Sequence, residues 1–209
     1  SWPATWSPSQ AAGYVLGSFL VVFTGFAIVL QVQAGEPPDT SGTVIDVFNA
    51  ALLWMVAVLA VIMASARTHR RGAFLVWVAA SAAAAGLAID EVFEYHERTL
   101  QVVGEDDWSK VVMWMGAVAA VAVLWRLESL TRSIKAALVT GIVLQTAYLL
   151  SDLGDGDFFL LPIADSALRW IEEILEVLAM EAYLTAIVLI VVTVVVTPTA
   201  GAAPSSKRP

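Results

Sequence analysis

Apolar residues in this chain come in six long runs, at roughly 11–31, 45–66, 73–96, 110–127, 134–151 and 167–197, parted by short polar stretches. A helix needs about 20 predominantly apolar residues to cross the hydrocarbon of a bilayer. The runs meet that length and the stretches between them do not. A β-barrel would instead show alternating segments of about ten residues, and none is present. The pattern predicts an all-α polytopic membrane protein: a six-transmembrane-helix bundle forming a single transmembrane domain over residues 1–209. No internal repeat is legible.

The polar stretches differ in charge. Residues 67–72 and 126–135 are basic, as is Lys207-Arg208. The stretches at 32–44, 98–109 and 151–166 are acid-rich. Lys and Arg mark the cytoplasmic side of a membrane protein. The basic turns are therefore expected inside, with both termini cytoplasmic and the acidic loops on the outer side of the cell inner (plasma) membrane. The third run carries Val-Ala-Ala-Ser-Ala-Ala-Ala-Ala-Gly at 78–86. Small residues let helices approach closely, so this helix is expected in the middle of the bundle. Phe158-Phe159-Leu160-Leu161-Pro162 gives the last acidic loop a re-entrant look.

Composition agrees with the pattern. The chain is 59% hydrophobic and 14% charged, with a mean hydropathy of +0.78. The absence of Cys excludes disulfides, thiolate metal sites and iron–sulfur clusters. The net charge of -8 argues against a nucleic-acid partner, which requires a basic face. Two His, neither paired within a span, exclude bis-histidine haem. A ferritin-like di-iron site needs a Glu-x-x-His on each of two helices, and neither His follows a Glu at that spacing. No nucleophile–His–acid set, dinucleotide-binding glycine pattern or P-loop is present. The partners expected are the lipid bilayer and, for an accessory subunit, other membrane subunits.

The candidate chemistry lies in three acidic groups. Asp90, Glu91, Glu94, His96 and Glu97 close the third run; Glu172, Glu173, Glu176 and Glu181 open the sixth; Asp152, Asp155 and Asp157 follow the fifth. Under the expected topology all three fall on the outer side, where Asp46 and Asn49 reach a similar height. At about 100° per residue, Glu94 and Glu97 fall within about 40° of Asp90, Glu91 near 100° and His96 near 240°. Clustered carboxylates need a cation, shared protons or basic partners. The candidates for neutralising them are a bound divalent metal, proton sharing, and pairing with Arg98, Lys110 and Arg169. Oxygen ligands with one imidazole suit Ca, Zn, Mn or Fe. The metal ligands expected are Asp90, Glu91, Glu94, His96, Glu97, Asp152, Glu172, Glu173 and Glu176.

Asp90-Glu91-x4-His96-Glu97, followed by Glu172-Glu173-x2-Glu176, resembles a pattern in uncharacterised bacterial multi-pass membrane proteins. In them an acidic pair precedes His-Glu at the end of a middle helix, and a later helix opens Glu-Glu-x-x-Glu. The resemblance covers under a tenth of the chain and implies a site, without implying a reaction.

The leading expectation is an integral membrane protein whose outward-facing carboxylate/His cluster binds a divalent cation. An accessory subunit of a larger membrane complex is the alternative. A proton- or cation-coupled transporter, suggested by Asp90 and Glu181 inside the apolar zone, is the third. Asp90 and Glu176 are expected to face each other across a contact between the third and sixth helices. Trp2, Trp6, Trp108, Trp125 and Trp170 stand at span ends, as an interfacial belt requires. Trp54, Trp77 and Trp114 lie deeper, where core packing is expected.

Overall fold

A computed structural model describes residues 8–35, 44–93, 107–155 and 165–196. All regular structure among them is helical: α1 (Pro8–Ala34), α2 (Val44–Ala66), α3 (Arg71–Phe93), α4 (Asp107–Leu127), α5 (Arg132–Asp155) and α6 (Asp165–Val191). A π-helical turn, Val192–Val196, continues α6. Each expected run is a helix. Five of the helices hold a stretch long and apolar enough to cross a membrane: Val15–Gln33, Val44–Ala66, Arg71–Phe93, Arg132–Ser151 and Ala167–Val195. The apolar stretch of α4, Val111–Leu127, is shorter.

Local chemistry sets the helix ends. Gly35 takes φ 72° just past Ala34 and returns its N–H to the Val32 carbonyl at 3.3 Å, a left-handed stop that a Cβ would strain. Gln31 reaches forward from α1, its Oε1 accepting the Val44 N–H at 3.1 Å. That satisfies one of the free donors at the start of α2, where Asp46 also suits the positive helix end. Thr131 caps α5, its Oγ1 accepting the Ile134 N–H at 3.4 Å. Helix α5 continues to Asp155, so Asp152 and Asp155 stand on its last turn and not in the expected loop; no breaker precedes the glycine at 154. The segment read as re-entrant lies outside the described residues.

Helices α2 and α6 form the centre. Half of the α2 span is buried, against 22% of the α3 span. Helix α2 packs extensively on α3 and on α6, α6 packs on α5, α4 leans on α5, and α1 lies over α2 and α6. The expectation that α3 occupies the middle is therefore corrected: α3 flanks the bundle. Its small residues do bring a neighbour close, but along one stripe only. Ala73, Trp77, Ala84 and Ala88 are buried on that stripe, and the Ser81 hydroxyl donates to the Ala57 carbonyl of α2 at 3.0 Å. The opposite face exposes Leu75, Val78, Ile89, Val92 and Phe93. Among the described residues α3 makes no extensive contact with α6, because α2 stands between them.

The core has two parts. Ala60, Met63 and Ala64 of α2 meet Trp77, Leu124, Ile134, Leu138 and Ile190 toward the basic turns. Leu20 and Ala27 of α1 meet Ile45, Phe48 and Leu52 of α2 and Val177 and Leu184 of α6 toward the acidic end. Outside, α1 exposes Val21, Val22 and Phe26, with Val22 71% accessible. Water disfavours so continuous an apolar surface, and lipid suits it. The helices are those of a multi-pass membrane protein.

Candidate functional site

Two ends of the bundle carry the polar chemistry. At one, the turn after α2 meets the turn after α4. Arg67 donates to Glu128 through Nε at 3.0 Å and Nη2 at 2.7 Å, a two-pronged ion pair. Trp77 Nε1 donates to the same carboxylate at 3.2 Å, and Arg70 donates to the Leu127 carbonyl at 3.1 Å. Burial alone would push the Glu128 carboxyl up. The hydrogen bonds from Arg67 and Trp77, with the charges of Arg67 and Arg70, outweigh it and hold the group below its ordinary value. The hydrogen bond to Glu128 raises Arg67 in turn, against burial and with the carboxylate's charge. Sequence reading missed Glu128, which is hidden among the basic residues of 126–135. Its one signal is a lone acid beside an otherwise basic turn.

The two basic turns thus share one end of the molecule. The other end gathers acids. Asn49 of α2 is 1% exposed, and its Nδ2 lies 3.5 Å from Glu91 Oε1 of α3. Glu91 is half-buried and feels the charges of Glu176 on α6, Asp46 on α2 and Asp90 beside it. Carboxylates of three helices therefore lie within electrostatic reach of Glu91, and Asn49 Oδ1, buried on α2 beside it, has no hydrogen-bond partner among the described residues. On α3, Glu91 lies in the field of Glu176, and Asp90 adds a smaller effect on Glu91 from the same turn; the direct α3–α6 helix contact expected through Asp90 is not among the extensive contacts of the described residues. The narrow α2–α3 seam turns Glu91 toward Asn49 and leaves α2 between the two carboxylate-bearing helices.

Of the other expected ligands, Glu172, Glu173 and Glu176 are half-buried on the first turns of α6. Asp152 lies on α5, and its side chain is outside the description. Glu94, His96 and Glu97 lie outside the described residues. Among the described residues, no three His, Cys, Asp or Glu side chains stand close enough to hold a metal ion between them.

Of the deeper Trp residues, Trp77 packs in the core as expected. Trp54 is 45% exposed, and Trp114 donates from Nε1 to Thr146 Oγ1 of α5 at 2.9 Å.

The sequence profile of one family, described as a domain of unknown function (DUF8692), matches residues 11–193. The chain belongs to that family. The match takes in both the acidic end and the Arg67–Glu128 pair. No curated protein and no solved structure matches the chain.

Proposed function

We propose that this protein crosses the cell membrane six times, with both termini cytoplasmic, and binds a divalent cation between the outer ends of α2, α3 and α6. One observation carries the reading. Glu91, in the field of Glu176 and Asp46, stands beside a buried carboxamide whose oxygen lacks a partner among the described residues. Among the described residues, every charged group acting on Glu91 is acidic. Carboxylates brought together from separate helices repel unless a cation, a shared proton or a basic partner offsets them, and the cation is the reading proposed. The donors are all oxygens, which favours a hard ion. They are too few to enclose one, so the cation keeps several waters, as Mg²⁺ characteristically does and as Mn²⁺ can at such a site.

The topology rests on two further observations. The Arg67–Glu128 pair joins two basic turns at one end, and Glu91, Asp46 and Glu176 gather at the other. Alternating helices produce that separation, and the positive residues assign the basic end to the cytoplasm. The fourth crossing uses the short stretch Val111–Leu127, about 25 Å of helix at 1.5 Å per residue.

The test is elemental analysis of protein purified in mild detergent, with calorimetric titration of Mn²⁺ and Ca²⁺. Wild type is expected to hold close to one ion per chain. Glu91→Gln and Glu176→Gln should each lose it, and Asn49→Leu should weaken it. Wild-type protein that binds neither ion, or Gln variants that bind as wild type does, would overturn the reading.

A further inference from the structure

Thr24 and Glu181 make a second polar contact, about 7.5 Å of helix deeper along α6 than Glu176. The Thr24 hydroxyl donates to the Glu181 carboxylate across 157 positions of sequence. Thr24 is the central residue of the Val15–Gln33 span, and Glu181 is the central residue of Ala167–Val195. The contact therefore lies near the midplane of the membrane, where an ionisable side chain is costly and marks a functional site by default. Glu181 is 6% exposed and Thr24 8%. Their stripe neighbours are apolar: Leu20 and Ala27 flank Thr24 on α1, and Val177 and Leu184 flank Glu181 on α6.

We propose that Glu181 is a proton-binding site inside the membrane, positioned by Thr24 and separate from the outer carboxylates.

Among the described residues, the helices packed around Glu181 offer it neither a basic partner nor a second acid at its depth. Helix α1 carries no Asp, Glu, Lys, Arg or His. Helix α2 carries only Asp46, at its outer end. On α5, Arg132 and Lys135 lie in the first turn, and Asp152 and Asp155 in the last. On α6 itself, Asp165, Arg169, Glu172, Glu173 and Glu176 precede Glu181 toward the acidic end, and the Tyr183 hydroxyl is turned to Gln145 of α5 at 2.7 Å. The π-helical turn has no charge. Of the described residues, Thr24 alone acts on the Glu181 carboxylate. A metal ion needs more than one carboxylate and one hydroxyl to replace its water. A proton needs only the carboxylate.

Threonine suits both states of such a group. A hydroxyl has one donor and two lone pairs. It donates to the carboxylate when the proton is absent, and by rotating it accepts from the carboxylic acid when the proton is present. The proton comes from and returns to water, and no other bond changes. A Lys or Arg at position 24 would instead fix the charged state.

The test is infrared difference spectroscopy of the protein in lipid vesicles, with the glutamate side-chain carboxyl isotopically labelled, read across a pH series. The expected result is a protonated-carboxyl carbonyl band that titrates and is lost in Glu181→Gln. Thr24→Val should displace the band and change its titration, and Thr24→Ser should restore both. Glu91→Gln and Glu176→Gln should leave the band in place, which separates this site from the outer cluster. If Glu181→Gln does not fold, the Thr24→Val and Thr24→Ser pair reads the same carboxyl intact. A labelled spectrum with no acid band sensitive to position 181 or position 24 at any pH would overturn the proposal.

Discussion

Replacing Glu128 by Ala tests the Arg67–Glu128 clasp. Glu128 accepts three hydrogen bonds, at 3.0 and 2.7 Å from Arg67 and 3.2 Å from Trp77. A hydrogen bond to a charged group contributes about 1.5–3 kcal/mol, and removing one partner of a buried pair costs about 3–5 kcal/mol. The Arg67 side chain is 16% exposed and that of Glu128 4%, so water can take over part of the guanidinium. The expected loss is therefore lower, about 2–4 kcal/mol. For a chain of this size that corresponds to roughly 5–10 °C in unfolding temperature. Thermal unfolding in mild detergent of Arg67→Ala, Glu128→Ala and the double variant forms a closed cycle. A coupling of about 1–3 kcal/mol is expected.

Acidity supplies an independent arm of the same experiment. The folded-state value of Glu128 lies below its ordinary 4.5. Its contribution is fully present above that value and is lost as pH falls through the lower, folded one. The advantage of wild type over Glu128→Gln should thus be constant near neutrality and shrink on acidification below about 4.5. A coupling under about 0.5 kcal/mol, or an advantage that grows as pH falls, would refute the reasoning.

Three other substitutions test the packing. A Cβ at Gly141 would stand 2.6 Å from the Tyr183 ring, which its hydroxyl anchors to Gln145; Gly141→Ala should cost about 1–3 kcal/mol, read as a lowered unfolding temperature, and an unchanged temperature would mean that α5 and α6 separate freely. Trp77→Phe removes one of the three donors to Glu128 and should cost about 1 kcal/mol, less than Glu128→Ala in the same assay; an equal or larger loss would shift the weight from the ion pair to the indole. Val22, 71% exposed on α1, should face lipid, so Val22→Arg should disfavour insertion of that span by about 2.5–3.5 kcal/mol in a membrane-insertion assay, and unimpaired insertion would place Val22 against a polar surface.

The helices were readable from the chain because the bilayer sets a length, and runs of apolar residues record it. Their ends were readable within a few residues because polar turns interrupt the apolar runs, and Gly35 and Thr131 fix two of those ends locally. The charge sorting was readable too: the two basic turns do share an end, and Asp46, Glu91 and Glu176 do gather at the other. What a helix packs against was not readable. In water an apolar stripe marks the buried face, but in a membrane the lipid-facing side is equally apolar. Hydropathy therefore leaves each helix free to rotate. The small residues of α3 announced a close neighbour, yet could not say that the contact was one-sided or that α2 would take the centre. Glu128 looked like part of a solvated basic turn until Arg67 and Trp77 closed on it from 61 and 51 positions away. Glu91 lies in the field of the Glu176 carboxylate of α6, although α3 and α6 make no extensive contact among the described residues because α2 packs on both. Glu181 was legible as a carboxylate too deep in its span. Thr24 was one hydroxyl in an apolar run, and only the packing of α1 on α6 brought the two together, since no local pattern encodes a contact between the first helix and the last.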